Sequence, residues 1–172
     1  MRPAAVGLIS ADSGESVMLG GLGVVFKVTG EATGGALAIV EHPLAAGALA
    51  GPPHTHANED EITLVLEGEI GVQVGDEVFH APPGVYVVKP RGVPHAFWNA
   101  GSAPARIQEI ISPAGFEGYF REVAAVLAVD GPPDFVRLGE IAGRYGLTLH
   151  MEQLEETMRT HGVCLEKGRS VV

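Results

Sequence analysis

Between residues 62 and 111 the chain is interrupted every few residues by turn formers: Gly75 with Asp76, Pro82-Pro83-Gly84, Pro90-Arg91-Gly92 and Ala100-Gly101-Ser102. The runs between them, such as 71–74, 85–89 and 106–111, are too short for helices and rich in β-branched residues. A parallel α/β sheet needs a helix between successive strands, and none of these gaps can hold one. Short, evenly spaced strands therefore point to an antiparallel sandwich or barrel. Upstream, 22–29 reads as a strand, the glycine-rich 30–35 as a turn and 36–40 as the returning strand of a hairpin. Residues 43–53, rich in Ala, Gly and Pro, read as an extended connector.

That connector leads into a cluster of metal-ligand side chains. His54 and His56 are two residues apart, so on a strand both rings leave the same face. Glu61 opens the run 62–66, which ends at a turn signal, Glu67-Gly68. His95 follows Pro90-Arg91-Gly92, and on its strand His95, Phe97 and Asn99 share one face while Ala96 and Trp98 share the other. Three neutral imidazole nitrogens and one carboxylate oxygen suit a first-row divalent metal and leave coordination positions open for water or substrate. Glu59 and Asp60 compete with Glu61 for the anionic place. A lone histidine more often ends as a loop or core residue, so the weight rests on the four appearing together in order. His42, His80 and His150 lack a partner at ligand spacing and read as core or surface residues, and Cys164 as an unreactive tail residue.

These residues resemble the two sequence motifs of the cupin superfamily. Gly84, Pro90, Gly92, His95 and Asn99 fill every fixed position of the second motif, and His54, His56, Glu61 and Gly68 fill the first. The glycine expected six residues before His54 falls on Ala48, between Gly47 and Gly51. The resemblance implies a mainly β fold, the cupin double-stranded β-helix (jelly-roll barrel), with C-terminal α-helices after it. It also implies one divalent transition metal per chain on His54, His56, Glu61 and His95, a site that accepts Fe, Ni, Mn, Zn or Cu. Within the superfamily the chain resembles small single-barrel bacterial proteins of the quercetin dioxygenase type, on Glu59-Asp60-Glu61 before Val65-Leu66-Glu67-Gly68 and on residues 113–120 opening a helix. That resemblance implies a dioxygenase of aromatic or flavonol-like small molecules. Glu61 would also be catalytic, as proton acceptor, and Phe97, Asn99 and Thr63 would line the substrate pocket, with Trp98 and Tyr119 as further candidates for aromatic contact. Two other readings share the scaffold: an isomerase, cyclase or decarboxylase in which the metal is a Lewis acid, and a small-molecule-binding protein without catalysis.

A length of 172 residues suits one domain, with 1–112 as barrel and N-terminal strands and 113–172 as a helical extension packed on it. Apolar residues at 116, 119, 120, 123 and 127, then at 135, 138, 141, 142 and 145, then at 151, 154 and 158, have helical spacing. Residues 138–161 also outline a helix, a Gly-Leu-Thr turn and a helix. DNA binding is disfavoured there, because Glu152, Glu155 and Glu156 face only Arg159 on the second helix. The net charge of −10 repels phosphate backbones and anionic lipids, so neither nucleic acid nor membrane is an expected partner. The first residues lack the features of a secretory leader and the chain has a single cysteine, from which a cytoplasmic location is expected. The barrel's sheet edges need cover, and a homodimer is the expected assembly. A light-scattering mass near 17.9 kDa would exclude it.

Overall fold

Sheet pairing and helix packing follow the alternations in the sequence, with three departures. The structure, a computed structural model, describes residues 7–165; the first six residues, with much of the stretch read for a leader, and the tail after Leu165 lie outside it. The hairpin β1 (Ser16–Leu19) and β2 (Leu22–Val28) leads through a single helical turn, α1 (Gly30–Thr33), into β3 (Ala38–Leu44). Next come β4 (His54–His56), β5 (Asp60–Glu67), β6 (Ile70–Val74), β7 (Glu77–Ala81), β8 (Tyr86–Lys89), β9 (His95–Trp98) and β10 (Ala105–Ser112). The chain then forms α2 (Glu117–Leu127), α3 (Phe135–Arg144), β11 (Leu147–Leu149) and α4 (Met151–His161).

The strands form two antiparallel sheets, ordered β1-β2-β3-β10-β5-β8 and β11-β4-β9-β6-β7. Their inner faces enclose one large apolar cluster that includes Val24, Val40, Leu44, Val72, Ile107 and Ile111. This is the expected jelly-roll sandwich with C-terminal helices. A smaller cluster of Leu49, Ala96, Trp98 and Val163 forms on the outer face of β9, under Leu154 and Met158 of α4. The three helices fall where the apolar spacing places them. Asp134 caps α3 by accepting from the Arg137 N–H at 3.0 Å, and Gly146, at φ 64°, ends it in the left-handed conformation. No helix among the described residues is long and apolar enough to cross a membrane.

The departures have physical causes. The glycine-rich segment 30–35, expected to be a turn, contains the helical turn α1, closed by Gly34 at φ 66°. The run 36–40 continues as strand to Leu44, because β10 pairs with it as far as Leu44↔Ala105. The Gly-Leu-Thr segment expected as a turn is largely β11, which pairs antiparallel with β4 through Leu147↔His56, Thr148↔Thr55 and Leu149↔His54. A three-residue strand has no pattern of its own to announce it, and only the free edge of β4 makes it one.

Candidate metal centre

Strand β5 inverts the usual rule that apolar side chains point inward. Its buried side is Glu61, Thr63 and Val65, while Ile62, Leu64 and Leu66 are only half-buried on the other side. Register then sets what these polar groups meet. Glu61 lies opposite Lys89 of β8, and Thr63 lies opposite Glu109 of β10. Lys89 is fully buried, with Nζ 2.9 Å from Glu61 Oε2 and 2.8 Å from Glu109 Oε2. The Thr63 hydroxyl is 2.9 Å from Glu109 Oε1. Two carboxylates thus share one ammonium in the interior, and such hydrogen-bonded contact is the condition under which buried charge is tolerated.

The facing sheet supplies the imidazoles. His54 of β4 is the register partner of His95 of β9, and His56 leaves the same side of β4. The loop before His95 is tied to β4, since the Gly92 N–H, at φ 76°, donates to the His56 carbonyl at 2.8 Å. Arg91 pins the same loop to β5 by pairing with Asp60, Nη2 to Oδ2 at 2.7 Å. One donor atom from each of His54, His56, Glu61 and His95 lies within 4.8 Å of the others, so the four could hold a metal ion. Asp60, occupied by Arg91, is outside this group. Glu59 is outside it too and faces the far side of His56, Oε2 to Nδ1 at 3.5 Å. Burial pushes the Glu59 carboxyl up from its ordinary value.

The donor atoms meet the requirements of a cation. His54 Nδ1 is 2.8 Å from the Pro52 carbonyl and His95 Nδ1 is 3.1 Å from the Val93 carbonyl. A carbonyl only accepts, so each Nδ1 carries the proton and each Nε2 keeps its lone pair for the centre. The Nε2 atoms of His56 and His95 are buried without a hydrogen-bond partner, 3.4 and 3.3 Å from the Glu61 oxygens. Orphaned buried nitrogens aimed at a carboxylate are what a bound cation would satisfy. Burial, reinforced by the neighbouring imidazoles, holds the His54 ring well below its ordinary pKa, and burial lowers His56 to about 4. Both rings are therefore neutral at neutral pH, the state in which an imidazole can bind a metal. Burial pushes the Glu61 carboxyl up, but the Lys89 ammonium beside it opposes this, and the group is held well below the usual carboxylate range. Glu109 goes the other way, pushed up to about 7 by burial, which its one shared ammonium does not offset.

The centre opens on a cavity lined by His54, Glu61, Phe97, His42 and Glu109, among others. Of the residues expected to line a substrate pocket, Phe97 does so, as does Tyr119. Thr63 and Asn99 are not among the lining residues. Thr63 is engaged by Glu109, and the Asn99 amide donates to the Leu44 and Ala103 carbonyls and accepts from the Gly101 N–H, which builds the turn after β9. Trp98 points to the outer cluster and stacks on His161 at 3.8 Å. His42, read only as a core or surface residue, is fully buried, lines the cavity and bonds the Gly23 carbonyl at 2.9 Å. Its parity with Val40 and Leu44 carries that signal. Glu109 shares parity with Ile107 and Ile111 in the same way.

Residues 41–111 match the cupin domain family. No curated protein matches the chain significantly. Among solved structures, KdgF from a Halomonas species is similar with a TM-score of 0.58 and 20% identity, over 65% of this chain and 99% of that one. A sugar phosphate isomerase of the cupin superfamily from Silicibacter pomeroyi gives 0.55 and 22%, over 62% and 75% of the two chains. A predicted oxalate decarboxylase from Thermotoga maritima gives 0.57 and 17%, over 62% and 99%. The fold is a cupin fold. At these identities the likeness establishes that fold alone; the family match over residues 41–111 spans the candidate metal-ligand group of β4, β5 and β9.

Proposed function

We propose that the protein is a metal-dependent cupin enzyme, a dioxygenase of an aromatic or flavonol-like small molecule. The observation that carries this reading is the convergence of three imidazoles and one carboxylate at the polar end of a cavity walled by Phe97, Phe116, Tyr119 and Phe120. A bound divalent metal supplies Lewis acidity and, if redox-active, a site for oxygen chemistry. The residues around it bind, orient and exclude water. Phe116 sets its ring edge-on to His56 at 4.3 Å, and Phe97 lies 5.0 Å from the Lys89 ammonium, so apolar rings flank the ligand group. Glu61 is the carboxylate placed to take a proton from an acidic substrate hydroxyl, with Oε2 held by Lys89. Held low, it is a weak base alone; Glu109, near 7 on the other side of Lys89, is the stronger one, and both line the cavity. A titrating carboxyl of that kind also favours the non-oxidative reading, proton transfer in an isomerase, cyclase or decarboxylase.

The test is metal content of untagged protein purified without added metal, for wild type, His54→Ala and Glu61→Ala, followed by oxygen uptake with flavonols. Near-stoichiometric Fe, Ni, Mn or Cu, lost in both variants, with oxygen uptake in the wild type, is the expected result. Zinc with turnover independent of oxygen would move the assignment to the non-oxidative class. No metal after reconstitution would overturn a metal-dependent function.

A further inference from the structure

The walls of the cavity carry more information than its polar end. Its volume is about 1470 Å³, above the roughly 300–1,000 Å³ of a pocket for a drug-sized molecule. It reaches from the ligand group to the helices, and one stripe of α3, Phe135, Leu138, Gly139, Ala142 and Gly143, faces it along its length. These positions follow the helical spacing of three and four residues, so the entire stripe lies on one side of the helix. Glycine is a poor helix residue, yet Gly139 and Gly143 stand inside α3 with no atom within 4 Å of where a Cβ would be. Their effect is to leave the space open. At the rim, Met18, Phe135, Met151 and Leu165 both line the cavity and are exposed to solvent.

Charge narrows the occupant further. Arg121 is the one cationic side chain among the described lining residues, and it is already engaged, 3.0 Å from Glu15 and stacked 3.6 Å over the Phe26 ring. The other ionisable lining groups include Glu15, Glu61 and Glu109. A phosphate or a second carboxylate on the ligand would find no free cation among the described lining residues. The lining groups His42, His54, Glu61 and Glu109 gather at the end beside the buried, unpartnered Nε2 atoms of His56 and His95, and that is where a polar head is drawn in. Resting on the metal-centre reading above, we propose that the natural ligand is a large, uncharged and mostly apolar molecule with its metal-binding oxygen group at the metal and its apolar body along α2 and α3, and that sugar phosphates are excluded.

Calorimetric titration of zinc-reconstituted protein with acetohydroxamic, hexanohydroxamic and decanohydroxamic acids tests this, because the head group is constant and only the chain grows. Affinity is expected to rise by about a hundredfold or more from the shortest to the longest, since each buried methylene contributes a few-fold. Glucose 6-phosphate is expected not to bind. Gly143→Leu and Gly139→Leu fill the space without a clash and favour the helix. They are expected to weaken the longest acid about tenfold or more, to leave acetohydroxamic acid unchanged, and to keep or raise the thermal midpoint. Equal affinity for the three acids, tighter binding of glucose 6-phosphate than of the longest acid, or indifference of folded glycine variants would overturn the proposal. If the chain-length gain persists undiminished in chelator-treated protein while the head group contributes nothing, the apolar site stands and the metal-centre reading fails.

Discussion

Lys89 decides whether the interior can hold two carboxylates. With Nζ within 2.9 Å of both Glu61 and Glu109 and none of its surface exposed, it cannot be replaced by solvent. Lys89→Met is therefore expected to cost about 3–5 kcal/mol of unfolding free energy, measured by urea denaturation, because it strands buried negative charge. Adding Glu109→Gln should return part of that loss, since it removes one stranded carboxylate while keeping the shape. A Lys89→Met protein as stable as wild type would show that the triad is not the charge arrangement in solution. At this scale the four candidate ligands were legible in the sequence, because His54, His56, Glu61 and His95 sit at fixed spacings along short strands, with Gly92 marking the turn before the last of them. Lys89 was not, for a lysine ending a strand looks the same whether it turns in or out, and only the Glu61↔Lys89 register pairs it.

Among the elements, β4 shows how the site depends on neighbours. It is three residues long, carries two candidate ligand histidines and touches β9 at a single register pair, His54↔His95. β11, from far along the chain, supplies its second edge, and the Thr55 hydroxyl bonds His150 at 2.8 Å just before α4. The pairing of β6 with β9 is equally exacting, since Gly71 lies opposite Trp98 and a Cβ there would come within 2.2 Å of the indole Nε1. Gly71→Ala is expected to destabilise by about 1–3 kcal/mol through overpacking. It should also red-shift the emission of Trp98, the sole tryptophan, because the buried ring must move. An unchanged spectrum and midpoint would contradict that contact. Strands and helices with a strong period were readable in advance; β1, β7 and β11 were not, being short segments whose pairing partner rather than their own pattern makes them strands.

For the whole molecule, buried histidine makes stability depend on pH. Burial lowers the His42 pKa from 6.5 to about 4, so the folded protein keeps the ring neutral where the unfolded chain protonates it. The stability this contributes is complete above pH 6.5 and is lost as pH falls to about 4, a change on the order of 3 kcal/mol. Glu109 acts in the opposite sense, since its carboxyl at about 7 holds a proton in the folded state that the unfolded chain releases, and its contribution fades as pH rises towards 7. Comparison of metal-free wild type with His42→Gln isolates the first effect: the variant's stability should fall less steeply over that acid range, by about one proton. Parallel curves would mean that His42 is not held neutral. The sequence by itself determined the sandwich and the four candidate ligands, because strand alternation, turn chemistry and ligand spacing are local and survive without knowledge of what packs where. Only the tertiary structure decided that β11 backs β4, that Lys89 turns inward to join Glu61 to Glu109, and that a glycine-bearing face of α3 leaves a wide apolar cavity. Each of these depends on which distant surface a segment meets, and no local pattern records that.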